Sequence, residues 1–416
     1  MPENPVATQD QRDIEDLTLR LLARPELVRA REVAALLWRN AVAWPSSDQM
    51  DRFDNMIDEY MFHYAIRAAN SDADHPRIAR FMVPRHTWFG REIPGSRWAG
   101  DSPDFVYRIL PLDPAARYEI HGRPAGSGEP PTVNYQLLGT RASPVPMGLL
   151  DSLDMAYEVD GSFVITLGPD APDGYRNHIQ MRPGADHLMI RDALGDWVAQ
   201  KPNHLEMRRI DPPSRAPLDE DELARRAAQS ALDMVYYAFY TTQSGSGQAP
   251  NDIRAPQSSG AFGGMPTQWG CKGNLDLAED EAIVVTANAA GALFRNVVLC
   301  DRFMMSIDYW KRTTSLNMDQ MTADEDGNYT YVVSHSDPGL ANWLDTGGLR
   351  QTIFGQRWQS IPRGQTGETP RMTTRLVKLD DLEKALPGGV ARIDTAGRQA
   401  QIAARDAGFR LRFLEN

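Results

Sequence analysis

Cysteine is scarce in this chain: Cys271 and Cys300 are the only two in 416 residues. Two thiols cannot build a disulfide framework, which excludes a small cross-linked secreted scaffold. Long apolar runs are missing too, and no stretch approaches the roughly 18 residues that a membrane-spanning helix needs. Positive charge is also short, with 44 Lys plus Arg against 56 Asp plus Glu and a net charge of −12. So acidic a surface repels phosphate backbones and anionic lipid, so neither nucleic acid nor a membrane is expected as a partner. The opening MPENPVATQDQRDIEDL has neither the basic nor the apolar segment of a signal peptide, and a soluble, cytoplasmic protein is expected. Cofactor signatures are missing as well: no G-x-G-x-x-G after a strand, no G-x-x-x-x-G-K-[ST], no G-x-S-x-G. The histidines, at 63, 75, 86, 121, 178, 187, 204 and 335, include no H-x-H or H-E-x-x-H, and the cysteines form no metal-spaced pair. No metal and no cofactor is expected, and any chemistry falls to side-chain acids and bases.

What is present is an ordinary globular composition, 42% hydrophobic and 24% charged, in a chain long enough for two or three domains. Leu17, Leu21, Leu22, Leu27, Val28, Val33, Leu36 and Leu37 recur at helical spacing, with Pro25 splitting the run. A second helix is expected from Asp48 to about Asn70. Beyond Pro84 the texture changes to short β runs between turn residues: FVYRIL, RYEIHG, TVNYQLLG, SFVITL and HLMIRD. Asp219, with Glu222 three residues on, opens a long helix through DELARRAAQSALDMVYYAFYTT. A second β stretch follows, with AIVVTANA, FRNVVLC, MMSIDYW and YTYVVS, and the chain ends in two short helices.

The two β stretches repeat one another. Asp160-Gly161 leads to Asn177 and then Arg191; Asp326-Gly327 leads to Asn342 and then Arg357, with Asn-to-Arg spacings of 14 and 15. A period this long implies duplicated domains rather than a solenoid. The expected fold is α+β: an N-terminal helical region (1–84), a first antiparallel β-sandwich repeat (85–210), a connecting helix (211–245), a second repeat (246–366) and a C-terminal tail (367–416). Pockets prefer the seams that such duplication creates. Dimerisation is left open.

Several residues stand out as candidates for chemistry or binding. His335 lies in a Ser/His/Ser/Asp/Pro/Gly turn and titrates near neutral pH, which suits proton transfer. Asp308 and Tyr309 follow an apolar run, where desolvation would tune a carboxylate as a base; an exposed edge fits Asp308 equally well. Asn342, Trp343 and Asp345 put an amide, an aromatic and a carboxylate in one loop, either around a ligand or as the plug of a sandwich end. Arg357 and Arg191 lie on β runs, where pairing with a buried carboxylate such as Asp345 is the structural alternative. Trp88, Trp98, Tyr107 and Arg108 crowd aromatics with charge, as a flat aromatic ligand or a buried seam would require. His63 and Tyr236, on helices, could close a pocket over the Asn342–Gly348 loop, although helical aromatics are mostly core.

Met305-Ser306-Ile307-Asp308-Tyr309, Ser315-Leu316-Asn317, His335-Ser336-Asp337-Pro338-Gly339 and Asn342-Trp343-Leu344-Asp345-Thr346-Gly347 form a motif series. The series is similar to that of a bacterial family of uncharacterised tandem β-sandwich proteins, typified by S-L-D-Y, S-L-N, H-x-D-P-G and N-W-L-D-T-x-G. The C-terminal part resembles a domain of unknown function that ends in N-W-L-P. Ile307 departs from the family's Leu, and Leu349 replaces a frequent His. A weaker likeness covers most of the chain, including Trp98–Asp104 ahead of Tyr107-Arg108. What the resemblance implies is a cofactor-independent lyase on a bulky aromatic small molecule. It would release formaldehyde from the hydroxymethyl group of a lignin-derived phenylcoumaran-type dimer, leaving a stilbene. On that reading His335, Asp308 and Tyr309 are acid or base candidates, Arg108 and Arg357 stabilise the phenolate, and Trp88, Trp98 and Trp343 stack on rings. The alternative from another class is a non-catalytic ligand-binding or assembly β-sandwich protein.

Overall fold

Capping residues set where the first helices begin. The computed structural model describes residues 3–41, 46–126, 128, 130, 132–139, 145–246, 249–262, 265–362 and 368–416. Thr8 caps α1 (Gln9–Leu22) by accepting from the Gln11 amide. Pro25 takes the first position of α2 (Pro25–Ala41), where its missing N–H leaves no bond unmade. A short α3 (Ser47–Met50) precedes α4 (Phe53–Ala69), which is buried on nearly every side. A helix without a polar face has to be wrapped. Around α4 pack α1, α2 and the long α5 (Glu220–Ser246), the last capped by Asp219, which accepts from the Glu222 amide.

Between α4 and α5 the chain forms β1 (Ala79–Phe81) and the β2–β3 hairpin (His86–Trp88, Arg91–Ile93). Then come β4 (Phe105–Pro111), β5 (Tyr118–Arg123), β6 (Thr132–Gly139), β7 (Val145–Asp151), β8 (Phe163–Gly168), β9 (His178–Gln180), β10 (Ala185–Ala193) and β11 (His204–Arg209). After α5 follow β12 (Asp252–Ile253), β13 (Gln257–Ser258), β14 (Trp269–Asp276), β15 (Glu281–Ala287), β16 (Phe294–Cys300) and β17 (Ser315–Asn317). The chain closes with β18 (Tyr329–Ser334), β19 (Trp343–Asp345), β20 (Gln351–Gln359), β21 (Met372–Lys378), α6 (Leu382–Ala385) and α7 (Thr395–Leu411).

Strand order establishes the duplication. The first repeat has an inner sheet β1-β4-β10-β6-β7 and an outer sheet β11-β5-β8-β9; the second has β12-β14-β20-β16-β17 and β21-β15-β18-β19. Each outer sheet ends in a parallel pair, β8–β9 and β18–β19. The fold is α+β, with two tandem sandwiches. Their cores are separate: Ile120, Leu137, Ile165 and Leu188 fill the first, Val285, Val297, Val333 and Phe354 the second. The Asp-Gly turns match as well. Gly161 and Gly327 stand at φ +79° and +75°, where a Cβ is disfavoured. Each donates its amide three residues back, to the Glu158 and Asp324 carbonyls.

Two expectations are corrected. MMSIDYW is not a strand: Phe303–Ile307 are consecutively buried and Met304 has φ +64°, so this segment is a loop, with Phe303 and Met305 packed against the helices and Ile307 in the second sandwich core. The repeats also exceed their expected limits, because β1 precedes residue 85 and β21, beyond residue 366, completes an outer sheet. Short edge strands carry too little apolar alternation to be seen locally. Among the described residues, no helix is long and apolar enough to cross a membrane.

Candidate functional site

Alternation along each strand decides what the outer faces of the two inner sheets present. In β6, Val133, Tyr135 and Leu137 point into the first sandwich, which leaves Asn134 and Gln136 on the other face. The same rule puts Tyr107 of β4 and Met189 and Arg191 of β10 on that face. In the second repeat it puts Gly270 and Lys272 of β14, Gly355 and Arg357 of β20, and Asn296 and Val298 of β16 there. Strand register aligns these residues into matching rows: Tyr107–Arg191–Asn134 in one sheet and Gly270–Arg357–Asn296 in the other. The next row of the second sheet is Lys272–Gly355–Val298. The Thr132 hydroxyl bonds the Ser360 hydroxyl across the two repeats, so these faces meet at a seam.

The seam carries cations that lack carboxylate partners among the described residues. Arg357 Nη2 donates to the Gly100 carbonyl at 2.7 Å, while its buried Nη1 has no partner. Neither Arg191 nor Lys272 has a carboxylate or hydrogen-bond partner among the described residues. Desolvation lowers the pKa of Lys272, helped by Arg357, even though the side chain is exposed. Tyr107, whose hydroxyl accepts from the Ser102 amide at 3.0 Å, is pushed up to about 12 by burial against the pull of Arg357 and Arg191. Asp101 is pushed up to about 6 by burial, against Arg97 and the Ser306 donors that hold both its oxygens. Tyr237 of α5 adds an aromatic, its ring 5.8 Å from that of Trp98.

Space exists beside these groups. A Cβ built on Gly355 would meet nothing nearer than Val298 Cγ1 at 3.7 Å. A wider cleft of about 940 Å³ opens beside α2, α4 and α5, lined among others by Arg67, Tyr64 and His187. His187 and Arg191 share one face of β10, four residues and about 13 Å apart. Met189 lies between them on the same face, and of the three only His187 lines the cleft.

The sequence-derived candidates divide. Tyr107, Trp98 and Arg357 lie at or beside the seam. Arg357 does not pair with Asp345, which binds Arg312 at 2.9 Å instead. Arg108 faces the opposite side of β4, holding Asp192 through two bonds of 2.8 and 2.7 Å. His63 is buried on α4, and its Nδ1 donates to the Ser96 carbonyl. Tyr236 is 79% exposed on α5. Trp88 and Tyr309 are buried beside α7, near Phe413 and Phe409 respectively. Asp308 is half-exposed, 3.9 Å from Arg97. His335 spans the Leu277 carbonyl and the Thr346 hydroxyl, and Trp343 Nε1 donates to Ser334 while Arg398 covers its ring. The expected meeting of the Asn342–Gly348 loop with His63 or Tyr236 does not form. Parallel pairing of β19 with β18 carries that loop into the outer sheet instead.

Asn342 shows why this loop draws attention in a sequence. Its amide closes a ring with the backbone of Thr322, accepting at 2.8 Å and donating at 2.7 Å. Asn177 does the same to Ala156, at 2.8 and 2.7 Å. Both are structural clamps. Asn342→Ala and Asn177→Ala are each expected to cost about 1–3 kcal/mol in urea melts, with activity per folded molecule unchanged. Lost activity at unchanged stability in Asn342→Ala would return the site to this loop.

Sequence reasoning missed Lys272, Asn134 and Gln136, whose neighbours in the chain carry no motif. The one available signal was Arg191 recurring as Arg357. No protein-family model matches the chain, and no curated protein matches it. Among solved structures it is similar to an uncharacterized protein from Burkholderia cenocepacia, with 24% identity, a TM-score of 0.73, and coverage of 87% of this chain and 99% of that one. A protein from Vibrio parahaemolyticus matches at 13% identity and a TM-score of 0.41, covering 77% of this chain and 99% of that one. The Burkholderia likeness establishes a shared fold.

Proposed function

We propose that this chain is a cofactor-independent carbon–carbon lyase of the uncharacterised tandem β-sandwich family it resembles, acting on a bulky aromatic small molecule at the seam. The observation that carries the reading is Lys272 beside Arg357 on the seam face of the second inner sheet, neither with a carboxylate partner among the described residues. The reaction is loss of formaldehyde from the hydroxymethyl group of a phenylcoumaran-type dimer. Lys272, its pKa lowered, takes the hydroxyl proton as the neutral amine. The O–H electron pair becomes the C=O bond of formaldehyde, and the broken C–C pair becomes the stilbene double bond. The ring C–O bond opens, leaving its pair on a phenolate that Arg357 stabilises and that then takes the proton back. Atoms balance without oxidant or reductant.

The test is incubation of purified protein with a panel of such dimers and no added cofactor, following formaldehyde and stilbene absorbance. Equal amounts of both are expected. Saturable binding with the dimer unchanged would instead make the chain a ligand-binding module.

A further inference from the structure

The duplication supplies a template for reading its own unpaired half. In the second repeat the Arg–Asn row is occupied by protein. Asn296 Nδ2 donates to Asp104 Oδ2 at 2.7 Å and to Ser102 Oγ at 2.6 Å, while Arg357 holds the Gly100 carbonyl. In the first repeat the same residue types stand in the same register, as Asn134 and Arg191. Tyr107 and Gly270 mark equivalent positions, so Met265 and Thr267 stand where Ser102 and Asp104 do. The Met265 side chain has no oxygen, and Thr267 turns its hydroxyl to Asp151 at 2.9 Å. Asn134, fully buried, is left with neither amide atom bonded, and Arg191 with a buried, unbonded Nη1.

Buried amides and guanidinium groups are ordinarily paired. The charged and titratable groups facing Arg191 are Tyr107, Arg357 and Tyr237, none of them a carboxylate. We infer that the Arg191–Asn134 row is a binding subsite for the carboxylate of an aromatic small molecule, received as Asn296 and Arg357 receive the Asp104 carboxylate and the Gly100 carbonyl. One ligand oxygen accepts from Asn134 Nδ2 and the other from Arg191. One row along β6, about 7 Å away, Gln136 Oε1 is buried and unbonded, ready to accept from a hydroxyl across the ring. The subsite goes beyond the lyase reading and stands without it.

Calorimetric titration of the full chain with 4-hydroxybenzoate and with uncharged 4-hydroxybenzyl alcohol tests this. The benzoate is expected to bind at least about 10-fold tighter, and Arg191→Gln and Asn134→Leu each to remove at least about 10-fold of its affinity, as loss of a charge-assisted bond does. Neither change lowers the melting temperature, whereas the counterpart Asn296→Leu, which takes the Asn296 donor from buried Asp104 Oδ2, lowers it. Absent benzoate binding, affinity unchanged in both variants, or Asn134→Leu melting as low as Asn296→Leu overturns the subsite. Dimer turnover without benzoate binding would remove the subsite and leave the lyase; benzoate binding without turnover would do the reverse.

Discussion

Lys272→Met is expected to slow formaldehyde release at least about 100-fold, the usual range for removal of a general base, while the melting temperature holds or rises. Lys272 forms no ion pair among the described residues and lies in the field of Arg357, so its charge destabilises the fold. A depressed amine pKa in the folded state means that this cost is present at neutral pH and disappears only once the unfolded amine also deprotonates. Methionine fills a similar volume without the charge. Because the base must be neutral, wild-type turnover rises with pH toward the lowered Lys272 pKa, and this limb vanishes in the variant. A second variant probes the space beside Lys272 and Arg357. Gly355→Leu projects a side chain from a position where a Cβ meets only ordinary van der Waals contacts with Val298, and a strand tolerates Leu better than Gly. It is expected to retain stability and lose turnover. If both variants turn over normally while folded, the chemistry is not at the seam.

Acid is expected to destabilise the protein through two buried imidazoles. Burial holds His63 down to about 3, reinforced by Arg67, and His86 down to about 3, reinforced by Arg80. An unfolded chain protonates the same groups near pH 6.5. Stability is therefore full above about 6.5 and falls as pH drops toward 3, by several kcal/mol for each residue at the limit. Asp101 acts in the opposite direction. Its folded pKa of about 6 lies above the usual carboxylate range, so lowering the pH from 6 toward 4 stabilises the fold and offsets part of the loss. Urea melts between pH 7 and 4 should show the steepest acid dependence in wild type and a shallower one in His63→Gln and in His86→Gln. An amide can replace each Nδ1 bond, to the Ser96 and Pro84 carbonyls, without titrating. Equal slopes in wild type and both variants would mean that neither imidazole is held neutral.

How much of this was legible differs by element. Pro25, Thr8 and Asp219 act within one helical turn of themselves, so the starts of α1, α2 and α5 can be read from a few residues. Gly161 and Gly327 carry a backbone requirement that no other residue meets as easily, and with Asn177 and Asn342 they made the duplication visible. The Met304–Trp310 segment misled because its apolar run looks like a strand. Phe303 and Met305 are buried under helices, Met304 against Val298 and Ile353, and Ile307 in the second sandwich core, and most of those contacts lie far away in sequence.

By itself, the sequence determined the helix caps, the alternating strands, the repeated Asp-Gly, Asn and Arg landmarks, and the absence of cofactor motifs. Each of these depends on neighbours a few residues apart, where propensity and periodicity act. Only the tertiary structure decided that Asn342 clamps Thr322, that Arg357 turns to Gly100 rather than Asp345, and that Arg191 and Lys272 share a seam. The reason is register. The face on which a side chain lies, and what stands opposite, follow from pairing between strands as far apart as β4 and β10, and from the packing of two inner sheets that are not adjacent in sequence.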